Sequence, residues 1–392
     1  MRNFAITIVA LFVMMNASAE FGWAAKSPNS GSLKRTASSL TVITDFYSWF
    51  ELNSPVTTYG VHSLYGNSYA SSDPVVAAQQ ILDMQQYFGS DALVLLVWPG
   101  QPQVGKTLPN GTSIGSPTGG ITEYNLDHGF FAAKQNLGSH LRFGLLYGYS
   151  SDLLKGYVYD SKGVVDFSLQ QNQDIWRNDL QYLRQKYLNH SDVYRINGKA
   201  VFYFWNGHIR NFNIARQIAN QEISPGIYAI IGLDILKDPK THPDQAELKN
   251  LVSSMDAVMS YVPYSASWVK KYGSLNSGYI SAMMDSETAW ITYLRKFAKG
   301  VAYIPAVSFH TNDTLLLDRV DENGNPLHPP LNSTDTTRKL LMRKTLALIN
   351  DNNLGNFLRV GTWNELAEGT AFEPSIEFGY SFLNTIKSYL GK

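Results

Sequence analysis

Residues 73–98 read DPVVAAQQILDMQQYFGSDALVLLVW, one complete helix-to-strand unit. Asp73 supplies a capping carboxylate and Pro74 a preset first helical residue, so the sequence predicts a helix over 74–88. The apolar run 92–98 then predicts a strand. Outward from this unit the alternation recurs along the whole chain. Strand candidates fall at 40–46, 92–98, 141–147, 200–205, 226–232, 257–262, 301–307 and 357–362, with longer amphipathic stretches between them. Over 169–188, Trp176, Leu180, Leu183 and Tyr187 recur at spacings of four, three and four, which is one face of a helix. A last helix is predicted over 375–390, with Ile376, Leu383, Ile386 and Leu390 on one stripe. Eight strands, each followed by a helix, predict a (β/α)8 TIM barrel. A doubly wound open sheet is the competing architecture. It would normally carry a phosphate or dinucleotide loop after its first strand, and neither G-x-G-x-x-G nor G-x-x-x-x-G-K-[ST] occurs.

Composition narrows the class. The 392 residues are 44% hydrophobic and 13% aromatic, enough for one barrel-sized domain. Lys and Arg together number 32, as do Asp and Glu, so no net field draws nucleic acid or anionic lipid, and a neutral partner is expected. The 23 Tyr and 8 Trp fit a carbohydrate, whose faces stack on flat rings, although most of them are expected in the core. The absence of cysteine excludes disulfides, thiol nucleophiles, zinc–cysteine sites and iron–sulfur clusters. The eight histidines include no helical metal pair, so neither a metal nor a cofactor is expected.

The chain opens with Arg2, an apolar run to Met15 and the motif Ala17-Ser18-Ala19, the form of a cleavable signal peptide. The expected organisation is a signal peptide over 1–19 cut after Ala19, an exposed leader over 20–38 and a catalytic barrel over 39–392. That makes a secreted or periplasmic protein, a monomer, with no membrane span once the signal is removed. Two connections are long, 99–120 and 308–332, and in a barrel both lie on the C-terminal face as candidate cleft walls. The run Asp321-Glu322-Asn323-Gly324-Asn325-Pro326 misplaces the glycine for an EF-hand and reads as a tight turn.

The segment that carries chemistry is 359–375, RVGTWNELAEGTAFEPS, directly after the final strand. It gathers Glu365, Glu368 and Glu373 with Trp363 and Asn364. If the loop starts a helical turn, Glu365 and Glu368 are i, i+3 neighbours with Cβ atoms on the order of 5–6 Å apart. Two carboxyls at that range do not both ionise easily, so one serves as acid and the other as base, the division that glycosidic cleavage needs. Alone, such a pair more often just favours the first turn of a helix through its dipole; the place after the eighth strand is what changes the balance. A Ser-His-Asp hydrolase is excluded by the lack of a G-x-S-x-G elbow. His62, after the first strand, and His310, after the seventh, are candidate cleft residues.

The run WNELAEGTAFEP resembles the signature W-N-E-W-x-E-G-T-x-x-E-P of glycoside hydrolase family 99, the endo-acting α-mannosidases and mannanases, and of related lipopolysaccharide-biosynthesis proteins. The likeness extends in order along much of the mature chain. Phe46-Tyr47-Ser48-Trp49-Phe50 is similar to the family's aromatic opening, 91–98 to its second strand, and 305–313 with Arg319 to its Pro-x-x-x-x-Gly-Tyr-Asn-Asp loop and following arginine. The resemblance implies retention, with Glu365 taking the proton of the sugar's own 2-hydroxyl to give a 1,2-anhydro intermediate. Glu368 would protonate the leaving oxygen and then activate water. It further implies Tyr261 and Arg319 as hydrogen-bonding residues and Trp98 as a stacking platform. Tyr47, Trp49, Tyr147, Asn312, Asp313, Trp363, Asn364 and Glu373 complete the expected substrate-binding set. The chain departs from the family at Leu366, at Ala367 and in the loop 308–313, so the sugar is left open between mannan and glucan types. The α-1,3-glucanases of family 71 are the sister possibility. A non-catalytic glycan-binding protein, or one that builds surface polysaccharide, is the rival of another class.

Overall fold

The computed structural model describes residues 20–21, 37–51, 61–66, 69–102, 105–116, 119–148, 156–161, 163–205, 209–232, 239–242, 244–259, 275–312, 331–366 and 369–392. Among the described residues, nine parallel strands make the wall of a (β/α)8 barrel: β1 (Thr41–Phe46), β2 (Leu93–Trp98), β3 (Arg142–Gly148), β4 (Lys199–Trp205), β5 (Ile227–Gly232), β6 (Ala257–Met259), β7 (Val301–Ile304), β8 (Ala306–Val307) and β9 (Phe357–Val360). The helices around it are α1 (Pro74–Phe88), α2 (Gly119–Asn125), α3 (Ala132–Leu137), α4 (Gln170–Leu183), α5 (Phe212–Glu222), α6 (Gln245–Ser253), α7 (Leu275–Phe297), α8 (Asp335–Asn352) and α9 (Ser381–Leu390). Nine strands supply eight ribs, because β7 and β8 are one rib broken at Pro305. β7 pairs with β6, whereas β8 pairs with β9, and β9 closes the ring on β1. Proline has no N–H for the ladder. Its carbonyl still accepts from Arg359 N at 2.9 Å, and the next amide, Ala306 N, is taken by the Glu287 carboxyl of α7 at 3.1 Å. Glu20–Phe21 run antiparallel to β7 on its other edge.

Helix α1 forms as its sequence dictates. The Asp73 side chain accepts from Val75 N at 2.8 Å, Pro74 occupies the first turn, and Gly89 ends it at φ +95°. Trp176, Leu180, Leu183 and Tyr187 are all buried as one face, with the chain passing from α4 into a π turn at Arg184–Leu188. The last helix starts later than its pattern predicts. Residues 375–379 close a turn through Ser375 and Gly379, with Gly379 at φ +52°, and α9 begins only at Ser381. Ile376 is therefore 60% exposed, while Leu383, Ile386 and Leu390 are buried. The sixth strand is described only to Met259.

Cross-strand register sorts the wall into two faces. Asp45 lies beside Leu95, Val97 beside Leu146, and Leu146 beside Tyr203, so these share one face. Trp98, Tyr147 and Phe204 share the other, and there they meet Trp176 and Tyr182 of the helical layer. The first face is therefore the lumen. At its centre Arg359 of β9 pairs with Asp45 of β1, both wholly buried. Burial raises the Asp45 carboxyl above its ordinary value despite the guanidinium beside it. Of the two long connections, the first carries a hairpin of Lys106–Thr107 with Ser113–Ile114, and the second begins and ends as the pair His310–Thr311 with Leu331–Asn332. Among the described residues no helix is long and apolar enough to cross a membrane.

Candidate active site

The loop leaving β9 runs along the C-terminal end of the barrel, where βα loops build sites in this fold. It is pinned at intervals. Trp363 N donates to Asp45 O at 2.8 Å, tying the start of the loop to β1. The Asn364 side chain then grips the Tyr47 backbone from both sides: its Oδ1 accepts from Tyr47 N at 2.8 Å and its Nδ2 donates to Tyr47 O at 2.9 Å. An amide side chain pairing in this way with a main-chain N–H and C=O acts as a short added strand, and it holds the first and last ribs in register. Glu365 follows. Its N–H donates to Thr362 Oγ1 at 3.1 Å, its carbonyl accepts from Thr370 N at 3.2 Å, and the residue is buried. Glu368 lies outside the described residues, as do Tyr261, Asp313 and Arg319.

Beyond them Gly369 has φ +64°, a conformation suited to glycine. Its carbonyl accepts from His310 Nδ1 at 2.5 Å. A carbonyl can only accept, so Nδ1 carries the proton. Burial lowers the His310 pKa, against the opposing pull of that carbonyl and of Glu377. A Cβ on Gly369 would lie 2.9 Å from Asn312 N and 3.0 Å from the His310 ring, so the seventh-rib loop and the loop after β9 touch here.

The end of the loop is fixed by Glu373. Glu373 N donates to Trp363 O at 2.8 Å, and its Oε2 accepts from Tyr69 OH and from Gln80 Nε2, each at 3.0 Å. Burial pushes this carboxyl up to about 7, although Ser63, Gln80 and Tyr69 all bond to it. Outside it the chain is zipped to the loop after β1: Leu64 N donates to Pro374 O and Ile376 N to His62 O, both at 2.8 Å. His62 Nδ1 meets Glu377 Oε1 at 2.5 Å and His62 N donates to Oε2 at 2.9 Å. Glu377 is held below its ordinary value, the bonds from His62 outweighing partial burial.

The structure thus brings Tyr47, His62, His310, Asn312, Trp363, Asn364, Glu365 and Glu373 around one loop. Trp49 is half-buried with its ring 4.7 Å from that of Tyr47. Tyr47 and Trp363 are fully buried, Trp363 edge-on to Phe88 of α1. Trp98 and Tyr147, expected on the cleft, lie instead on the helix side of the sheet. Trp98 Nε1 donates to Glu123 of α2 at 3.1 Å beside the Tyr182 ring, and Tyr147 OH bonds Asp179 of α4. Neither ring has a face open to a sugar, because strand parity sends both outward. Glu377, Tyr69 and Gln80 escape a reading of motifs. Gln80 alone carries a signal, as a polar residue on the buried stripe Ala77, Ile81, Met84 and Phe88 of α1. Among the described residues, no cluster of three or more acidic or imidazole side chains is arranged to hold a metal.

No protein-family model matches the chain, and no curated protein does. Solved structures do share its fold. A glycoside hydrolase-like protein superposes with a TM-score of 0.60 at 15% identity, over 94% of this chain and 98% of its own. The GH99 endo-alpha-mannosidase from Bacteroides thetaiotaomicron, solved with bis-tris propane, gives 0.51 at 14% identity, over 88% of this chain and 95% of its own. At these identities the likeness is one of fold, extending over 94% and 88% of this chain.

Proposed function

We propose that the protein is an exported, retaining glycoside hydrolase that cleaves α-linked mannan- or glucan-type chains internally, using Glu365 and Glu368. The observation that carries this reading is Glu365, set at the C-terminal end of the closing strand in a loop pinned by Asn364, His310 and Glu373. Its fold partners include an endo-alpha-mannosidase, and the segment 363–374 resembles that family's pattern with the departures at Leu366 and Ala367. In the proposed reaction Glu365 takes the proton of the sugar 2-hydroxyl as that oxygen attacks the anomeric carbon. Glu368 gives a proton to the departing oxygen. The 1,2-anhydro sugar is then opened by water that Glu368 deprotonates, while Glu365 returns a proton to O2, and the anomeric configuration is retained. Two carboxyls are enough for this chemistry, which needs no metal or organic cofactor. The signal-like start, with cleavage after Ala19, supports action outside the cytoplasm.

The test is release of reducing ends from α-mannan and α-1,3-glucan by the wild type, Glu365→Gln and Glu368→Gln, with anomeric configuration followed by NMR. Each variant should lose on the order of 10³-fold or more in kcat. Wild-type-like cleavage by both variants would sink the reading. Tight oligosaccharide binding without turnover by the wild type would make the protein a glycan-binding module.

A further inference from the structure

The proposed reaction occupies Glu365 and Glu368 and leaves Glu373, the third carboxylate of the same segment, without a chemical task. Glu373 is buried behind the loop and reaches no open surface. Its hydrogen bonds run toward Glu365. Tyr69 OH donates to Glu373 Oε2 and itself accepts from Asn364 Nδ2 at 3.3 Å, and Gln80 Nε2 bonds both Tyr69 OH at 3.2 Å and Glu373. Asn364 is the residue before Glu365, and Glu373 N is bonded to the carbonyl of Trp363, the residue before that. The two ends of the loop are thereby joined through one phenol and one amide. Resting on the glycosidase reading, we propose that Glu373 is a positioning residue: acting through Tyr69 and Asn364, it fixes the backbone that presents Glu365.

The surroundings of Glu373 give this role a pH signature. Ser63 and Tyr69 face it from the loop after β1 and Gln80 from α1. One step farther out stands Tyr65, whose hydroxyl donates to Asp83 of α1 at 2.7 Å, with Tyr380 reaching the same carboxylate at 3.4 Å. All the groups bonded to Glu373 are neutral, and burial with the carboxyl alongside keeps the Tyr69 phenol protonated far above neutrality. Below about 7 the Glu373 carboxyl is neutral, and its own proton must find an acceptor among groups that donate to it. Above that value the charge is received by the donors Tyr69 OH and Gln80 Nε2, so the link to Asn364 tightens as Glu373 ionises.

Two variants and two readouts decide the matter. Tyr69→Phe keeps the ring and removes the hydroxyl that joins Glu373 to Asn364. It should lower kcat on α-mannan or α-1,3-glucan by about tenfold, with KM within about twofold, and should speed hydrogen exchange over 361–366. Glu373→Gln offers an oxygen that accepts both bonds but cannot ionise. It should hold kcat within about threefold of wild type at pH 6 and should lack the rise that the wild type shows through about pH 7 as Glu373 ionises. Wild-type exchange over 361–366 in Tyr69→Phe, a loss carried by KM alone, or a pH profile through 7 in Glu373→Gln that matches the wild type would each overturn the proposal. If the wild type cleaves neither polymer, the glycosidase reading fails, and the exchange measurement still decides whether Glu373 positions the loop.

Discussion

Glu287 offers the sharpest test of how this barrel is built. It sits in the middle of α7, wholly buried, with Oε1 accepting from Ala306 N at 3.1 Å. Oε2 meets no hydrogen-bond partner among the described residues. The carboxyl stands where Pro305 breaks the seventh rib, and it supplies the acceptor that the ladder does not provide for the next amide. Burial pushes its pKa from 4.5 to about 8, and the one bond from Ala306 pulls weakly the other way. At about 1.36 kcal/mol per tenfold change in proton affinity, that displacement corresponds to on the order of 5 kcal/mol. The folded protein keeps the proton up to about pH 8, whereas the unfolded chain releases it near 4.5. The contribution is therefore fully present below 4.5 and is lost as pH rises through 8, because unfolding releases a proton across that window. Glu287→Gln keeps an oxygen for Ala306 N and removes the titration. Urea midpoints measured from pH 5 to 9 should nearly coincide at the acid end and separate steadily above it, with the variant the more stable. Asp179 and Glu373, raised to about 6 and about 7, act in the same direction, but they are common to both proteins and cancel in the difference. Parallel stability profiles would refute the reasoning, as they would mean that Glu287 ionises in the folded barrel at little cost.

Two further predictions concern packing. Arg359→Met leaves Asp45 without its guanidinium in the lumen and should cost about 3–5 kcal/mol in urea unfolding, and adding Asp45→Leu should recover much of that loss, since an apolar pair carries no desolvation penalty. Gly369→Ala forces a side chain into the left-handed region and against Asn312 N and the His310 ring. It should cost about 1–3 kcal/mol, read as a lowered thermal midpoint.

The barrel was legible because its strands and helices differ in period and length, and each rib announces itself locally. Asp73, Pro74 and Gly89 set the ends of α1 with no help from the rest of the chain. What stayed hidden was the direction of the side chains. In a parallel sheet covered on both faces, the strand Leu93–Trp98 is buried at every position, so nothing in its composition separates lumen from helix side. Trp98 and Tyr147 therefore read as cleft residues although they pack against α2 and α4. The rib broken at Pro305 was hidden for a different reason, since the carboxyl that compensates for it comes from another helix, 18 positions upstream of the proline.

The same distinction applies to the candidate site. Glu365 and Asn364 were legible because they stand together in sequence, immediately after a strand whose end has a known place in the fold. Their supports were not, because Tyr69 and Gln80 lie 295 and 293 positions from the Asn364 and Glu373 groups they bond. A motif records only what is contiguous. Yet Glu373 belongs to that motif and still makes its contacts with the distant residues, which places it between the two kinds of information. Its carboxyl is written in the segment WNELAEGTAFEP beside the proposed acid and base, while its environment comes from α1 and the loop after β1. Glu365 and Glu373 are equally buried, so burial does not separate them; what differs is the partners, since Tyr69 and Gln80 come from far along the chain to bond the Glu373 carboxyl, and no reading of the contiguous segment contains them.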